Sequence, residues 1–383
     1  MNSRERVLTA LNHKEPDRIP YDLCGTAQTG IHVGAYSNLR RHLGLPSREA
    51  NPRNLLSQFA DPHEDFLEVL KVDVRHVPRR STIGETYEQR EEGNYWTRTD
   101  QWAITWRMPK TNGLYYDLWL SPFDLDDVAG RLNTYQWPDP TDPWHYELLR
   151  EPAQKARDKG KAVVLQGFTA GILETYAWLR GYHRYFMDLA TDHKTASYLL
   201  DKLVEIKAVY WQRALGELDG LVDIVNETDD IAAQHALMIS PDTYRTLIKP
   251  RHQKLFAAIK KAAPGIKLFL HSCGAIRPLI PDFVEIGVDI LNPIQLGAKD
   301  MNPVELKREF GRDLCFWGGG VDAQGVLTSG TPKQVREQVR KNMDALAPSG
   351  GFVFAADHVI QANVPPENFV AMWETFREHS SYS

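Results

Sequence analysis

The chain has 383 residues, a net charge of −5, and 42% hydrophobic and 25% charged residues, the balance of an ordinary globular protein. That balance excludes a disordered chain, a coiled coil and a collagen-like fibre. Arg79-Arg80 and Lys260-Lys261 are pairs of cations rather than a basic stripe, so no nucleic acid is expected as a partner.

No uncharged apolar run reaches the ~18 residues of a membrane span; the run 162–173 stops short and contains Gln166. The charged opening, MNSRERVLTALNHKEPDR, has no apolar signal core. The three cysteines, Cys24, Cys273 and Cys315, make no disulfide framework. Together these predict a protein of the reducing cytoplasm that does not enter a membrane.

In chain order, 3–12 carries Val7, Leu8 and Leu11 on one face and reads as a helix that Pro16 and Pro20 end. A short strand is expected at 19–24, a helix at 62–71 and a strand at 73–77. From 82 to 120 the texture changes to Tyr, Trp and Thr, with turn signals at Glu92-Gly93-Asn94 and Asn112-Gly113. That is an inserted antiparallel hairpin region. Its aromatic stretch 95–119 suits hairpin packing, or the shelter of a flat ligand.

Beyond it the pattern alternates regularly. Short apolar strands at 162–168, 221–227, 267–271, 288–292, 314–318 and 352–356 are separated by helices. Ser240-Pro241, Thr331-Pro332 and Pro365-Pro366 mark three helix starts. Strands buried on both faces with helices between them are parallel βα units. Eight such strands predict an α/β fold, a (β/α)8 TIM barrel in one domain over 1–383, with an N-terminal helical segment and the inserted hairpins. The alternative is an open doubly wound sheet, but no G-x-G-x-x-G or Walker motif supports nucleotide binding there.

In a barrel the site lies at the C-terminal ends of the strands. His271 and Cys273 end the fifth strand two residues apart, so they point the same way. Imidazole, thiolate and a third ligand suit Zn2+. His358, Glu227, Asp229, Asp230 and Cys24 are the candidates for that third place. Glu227, Asp229 and Asp230 also offer general acid/base carboxylates, and Asp357-His358 a proton-transfer pair. A solvated loop and a helix cap are the bland alternatives for these two groups. Arg75, Gln166, Asn292 and Gln361 are the residues expected to orient a substrate. Cys315 starts the seventh strand, at the wrong end for chemistry, and reads as core.

The segments RERVLTALNHKEPDRIP, 228–255, KLFLHSCGAIRPLIPDFVEIGVDILNPIQ, FWGGGVDAQGVLTSGTPKQV and HVIQANVPPEN resemble the uroporphyrinogen decarboxylase superfamily over almost the whole chain. The resemblance implies a (β/α)8 barrel and one of two enzyme branches. The decarboxylase branch carries an Arg-rich loop after its first strand; here that loop is Leu23-Cys24-Gly25-Thr26-Ala27-Gln28-Thr29, without arginine. The motif is similar to the corrinoid-dependent methyltransferase branch, whose His-x-Cys zinc pair matches His271 and Cys273. That branch has a second Cys near the end of strand eight, where this chain has His358.

The resemblance therefore implies Zn2+ on His271, Cys273 and His358, with Asp230, Glu227 and His358 as catalytic groups. It implies a corrinoid (methylcobalamin) supplied by a partner corrinoid protein, since no D-x-H-x-x-G signature is present. A small-molecule methyl donor or acceptor completes the reaction, and a homodimer is possible. The other readings are a metal-independent decarboxylase of a smaller acid built on Asp230 and His358, and a non-catalytic ligand-binding relative.

Overall fold

The computed structural model describes residues 1–80 and 88–382. Seven parallel strands form one sheet in sequence order: Val74–His76, Ala162–Gln166, Ile224–Thr228, Lys267–His271, Ile290–Asn292, Cys315–Trp317 and Phe352–Val353. The eighth stave, expected over 19–24, shrinks to a bridge at Tyr21. Its backbone still closes the ring. Asp22 N donates to Phe354 O on one side, and Asp73 N donates to Tyr21 O on the other, both at 2.9 Å. Pro20 lacks an N–H and Cys24 adopts a left-handed φ of 67°, so the chain cannot extend the ladder through this stretch. The architecture is a (β/α)8 barrel.

Strand alternation sorts the core into two sets. Val74, Ala162, Val164, Ile224, Phe269, Ile290, Cys315, Trp317, Val353 and Ala355 fill the interior of the ring, together with Val7 and Leu11. The intervening residues, such as Val163, Leu165, Val225, Leu270 and Phe316, pack outward beneath the helices. The N-terminal helix Ser3–Leu11, begun by a capping box between Asn2 and Glu5, therefore plugs the floor of the barrel. Cys315 lies against it, its thiol 3.5 Å from Leu11 O, as core. The expected helix starts at Ser240 and Thr331 carry side-chain caps. Among the described residues no helix is long and apolar enough to cross a membrane.

The inserted region forms a four-stranded antiparallel sheet of Arg90–Glu92, Tyr95–Thr99, Thr105–Pro109 and Asp117–Leu120. Residues 82–87 of the expected insertion lie outside the described residues. The loop between the second and third of these strands has no Asn-Gly or Asp-Gly signal. Asp100 builds it instead, accepting from Trp102 N at 2.9 Å, Ile104 N at 3.1 Å and Trp106 Nε1 at 2.7 Å.

Since Leu11 belongs to the barrel core, Leu11→Ala is expected to lower stability by about 2–5 kcal/mol in urea unfolding, the range for a large-to-small core change. A loss within about 0.5 kcal/mol, the value for a surface site, would show the helix to be a loose appendage.

Candidate metal centre at the barrel mouth

The strand Lys267–His271 pairs with Ile290–Asn292 in the register His271↔Asn292 and with Ile224–Thr228 in the register His271↔Thr228. Counting inward from Phe269, the next inward side chain is His271, at the top of the barrel interior. Its Nδ1 lies 2.5 Å from Asn292 Oδ1. The Asn292 amide is itself oriented, because its Nδ2 donates to Trp317 O at 2.6 Å. An amide oxygen only accepts, so the imidazole carries its proton on Nδ1 and presents the Nε2 lone pair to the mouth.

Two residues on, Cys273 is held by its backbone N–H, which donates to Asp230 Oδ1 at 3.0 Å. The chain then turns sharply at Gly274, whose φ is +89° and where a Cβ would meet Ala232 O at 2.7 Å. His358 enters from the far side, after the last strand, its ring centroid 5.6 Å from that of His271. The ligand atoms of His271, Cys273 and His358 all lie within 4.8 Å of one another. Tetrahedral zinc with ~2.0–2.1 Å bonds to nitrogen and ~2.3 Å bonds to sulfur needs separations of roughly 3.4–3.6 Å. Binding would draw the three ligand atoms closer together than they stand.

The electrostatics suit a cation. Burial, and then the carboxylate of Asp230, push the Cys273 thiol well above its ordinary range. Burial, and then His271, hold His358 down to about 4, so at neutral pH it is an unprotonated imidazole. A thiol held up by burial and by the Asp230 carboxylate is a group that a metal ion would ionise.

In front of the cluster lies a cavity of about 280 Å³, lined among others by His271, His358, Asp230, Gln166 and Glu174. Asp230 is half-buried, with Oδ1 3.6 Å from His271 Nε2. Glu174 stands in the first turn of the helix Ile172–Arg180 and accepts from Thr228 Oγ1 at 2.8 Å. Burial, and then the carboxylates of Asp230 and Asp229, raise it to about 8. The sequence reading missed Glu174. Its only local signal was an acidic residue at the start of a helix that follows strand three. Trp106 and Tyr116 of the inserted sheet also reach the cavity, so this sheet walls the mouth as well as packing on itself.

Several expected site residues sit elsewhere, because strand alternation turns them away. Glu227 lies between the inward Asn226 and Thr228 and points outward. Its carboxylate is paired with Lys207 at 3.0 Å and accepts from Trp211 Nε1 at 2.5 Å, all buried. It is an anchor for the helix His193–Leu218, not a group of the mouth. Arg75 is likewise outward, paired with Glu64 at 3.1 Å and Glu68 at 2.8 Å. Asn292 is buried beneath His271, which it orients, and does not line the cavity. Gln361 does not line it either. Asp229 caps the helix that carries Glu174, accepting from Leu173 N at 2.8 Å, and is 2.7 Å from His252 Nε2. Asp357 accepts from Ala323 N at 2.8 Å and Leu296 N at 3.0 Å, so it ties loops rather than relaying a proton to His358. Cys24 stands outside the His/Cys/His cluster.

Fold and site together define a (β/α)8 barrel with a two-histidine, one-cysteine candidate metal centre at the C-terminal ends of its strands. The chain belongs to the uroporphyrinogen decarboxylase family, whose model matches residues 121–379. Over its whole length it is similar in fold to a methyltransferase from Methanosarcina mazei, with a TM-score of 0.65, 19% identity and 99% of each chain covered. It also matches xylanase 10B from Thermotoga maritima, at a TM-score of 0.37 and 14% identity, over 66% of this chain and 91% of that one. No curated protein matches it by sequence.

Because Glu227 has a structural partner, Lys207→Met is expected to cost about 3–5 kcal/mol in urea unfolding, the cost of stranding a buried charge. The double variant Lys207→Met/Glu227→Leu recovers most of it. A Lys207→Met protein of unchanged stability would contradict this placement.

Proposed function

We propose that this protein is a zinc-dependent methyltransferase, moving a methyl group between a corrinoid carried by a partner protein and a small molecule. The observation that carries the reading is the convergence of His271, Cys273 and His358 at the mouth, with a cavity in front of them. Three nitrogen and sulfur ligands with an approachable fourth side is the pattern of catalytic rather than structural zinc. Family membership keeps a metal-independent decarboxylase of a smaller acid as the other reading. A cavity of about 280 Å³ is below the usual ~300–1,000 Å³ of ligand pockets. It suits a small substrate better than a macrocycle with eight carboxylates.

Bound to these three side chains, zinc would supply Lewis acidity, lowering the pKa of a thiol or polarising an ether or hydroxyl oxygen. The chain's own residues do the rest. Asn292 fixes the His271 tautomer, so that Nε2 is available without a proton having to leave. Burial keeps His358 neutral and ready to donate its lone pair. Glu174, raised to about 8, holds a proton at neutral pH on the edge of the cavity. Thr228 donates to one of its oxygens at 2.8 Å. Asp230 lines the same cavity, with Oδ1 3.6 Å from His271 Nε2. Trp106 and Tyr116 of the inserted region wall one side of the cavity.

Metal analysis of purified protein is expected to find about one zinc per chain, the stoichiometry of a single three-ligand site, and none in His271→Ala/Cys273→Ala. Methyl transfer is expected to need an added corrinoid protein. Absence of metal after reconstitution, or turnover of a carboxylic acid without corrinoid, would contradict the reading. Asn292→Ala is expected to fold and to weaken zinc binding about 10–100-fold in chelator competition, as loss of an orienting hydrogen bond does. Unchanged affinity would contradict the role assigned to Asn292.

A further inference from the structure

The apolar side of the mouth cavity is supplied by aromatic rings, among them Phe59, Trp106, Tyr116 and Trp178. Trp106 and Tyr116 come from the inserted region and precede the family match at 121–379. What they select is therefore not implied by family membership.

Trp106 is 5% exposed. Its ring meets that of Trp178 at a centroid distance of 5.2 Å and an interplanar angle of 84°, the edge-to-face arrangement that aromatic pairs favour. Trp178 belongs to the helix Ile172–Arg180, whose first turn carries Glu174. The pair thus joins the inserted sheet to the barrel along the cavity wall.

The indole is fixed from behind as well. One oxygen of buried Asp100 accepts from Trp102 N and Ile104 N, and the other accepts from Trp106 Nε1. Ala103, inside this loop, has a left-handed φ of 53°, a conformation that costs a residue with a Cβ. The carboxylate therefore holds the loop in a shape it does not adopt freely. The loop is in turn anchored to the barrel. Trp102 is fully buried and lies edge-to-face on Phe168, which follows the strand Ala162–Gln166, at 6.2 Å. Its carbonyl accepts from Tyr135 Oη at 2.6 Å. Trp106 is thus located relative to the barrel as well as to its own sheet. A ring packed on one side and hydrogen-bonded on the other resists displacement by an arriving ligand.

We propose that Trp106, positioned by Asp100, is the specificity-determining residue of this cavity: it limits the substrate to an apolar body no larger than a single ring and excludes longer or fused-ring molecules. This deepens the methyltransferase reading and rests on it only in calling the molecule a substrate. The size limit itself is a property of the protein without metal or turnover.

The test is calorimetric titration of metal-free protein with two neutral alcohols that differ by one fused ring, benzyl alcohol and 2-naphthylmethanol. The wild type is expected to bind benzyl alcohol about tenfold or more tighter than the naphthyl alcohol, the penalty for an oversized group in a formed pocket. Trp106→Ala is expected to reverse that order. Trp106→Phe, a milder truncation that serves if the alanine variant does not fold, is expected to shift the ratio in the same direction by about threefold or more, since part of the same wall is removed. Asp100→Asn retains one oxygen where two are needed, so it cannot serve both the backbone and the indole. With Trp106 still present, its ratio is expected to fall between those of the wild type and Trp106→Ala. A residue that only stabilised the fold would lower the melting temperature and weaken both alcohols in parallel, leaving their ratio unchanged. Three results would overturn the assignment: a ratio unchanged in the folded Trp106 variants, a wild type that prefers the naphthyl alcohol, or no binding of either probe. Failure of the zinc reading alone would leave this titration intact.

Discussion

Strand alternation at the C-terminal end of the barrel is the constraint on which the site depends. A step of one residue moves a side chain from the interior of the ring to the space beneath the helices. In Lys267–His271 the step places His271 inward above Phe269, in register with Asn292 of the next strand. In Ile224–Thr228 it places Asn226 and Thr228 inward and sends Glu227 to Lys207. In Val74–His76 it sends Arg75 out to Glu64 and Glu68. One rule thus selects which polar residues of neighbouring strands reach the mouth and which brace the barrel from outside.

The brace matters because the mouth is built of groups that would not hold themselves in place. Thr228 supports both Glu174 and the amide of Gly171, and Gly171 is glycine because a Cβ there would collide with Thr228 O. Asp230 positions the Cys273 backbone. At the other end, buried Asp73 accepts from Arg6, Arg18 and Tyr21 N at 2.8–2.9 Å. It thereby ties the floor helix, the reduced first stave and the strand Val74–His76 to each other. The mouth keeps polar groups in tension with their burial, while the floor satisfies them.

Much of this was legible in the residues. Apolar runs of strand length between capped helices point to the barrel, and the His-x-Cys spacing singles out His271 and Cys273 from the residues alone. His358 needed the superfamily resemblance to single it out among five candidates. The misplacements have one physical origin. Glu227 and Arg75 were judged by nearness to a strand end, without asking which parity of the strand faces inward, and that parity is fixed by core packing that a single sequence does not display. Asn292 was read as substrate-facing, because its bond to His271 forms across two strands far apart in sequence. Glu174 escaped notice for the same reason: it lies in a first helical turn that only the closed ring brings to the cavity. The first strand was overestimated, since its apolar pattern is real but Pro20 and the left-handed Cys24 leave it a single bridge.

The central claim is that His271, Cys273 and His358 form one zinc centre. X-ray absorption at the zinc edge of the reconstituted protein tests it most directly. The account predicts one sulfur at ~2.3 Å and about three nitrogen or oxygen neighbours at ~2.0–2.1 Å, with the sulfur lost in Cys273→Ser and one imidazole lost in His358→Ala. A shell without sulfur, or one unchanged by both substitutions, would place any bound zinc elsewhere and contradict the account.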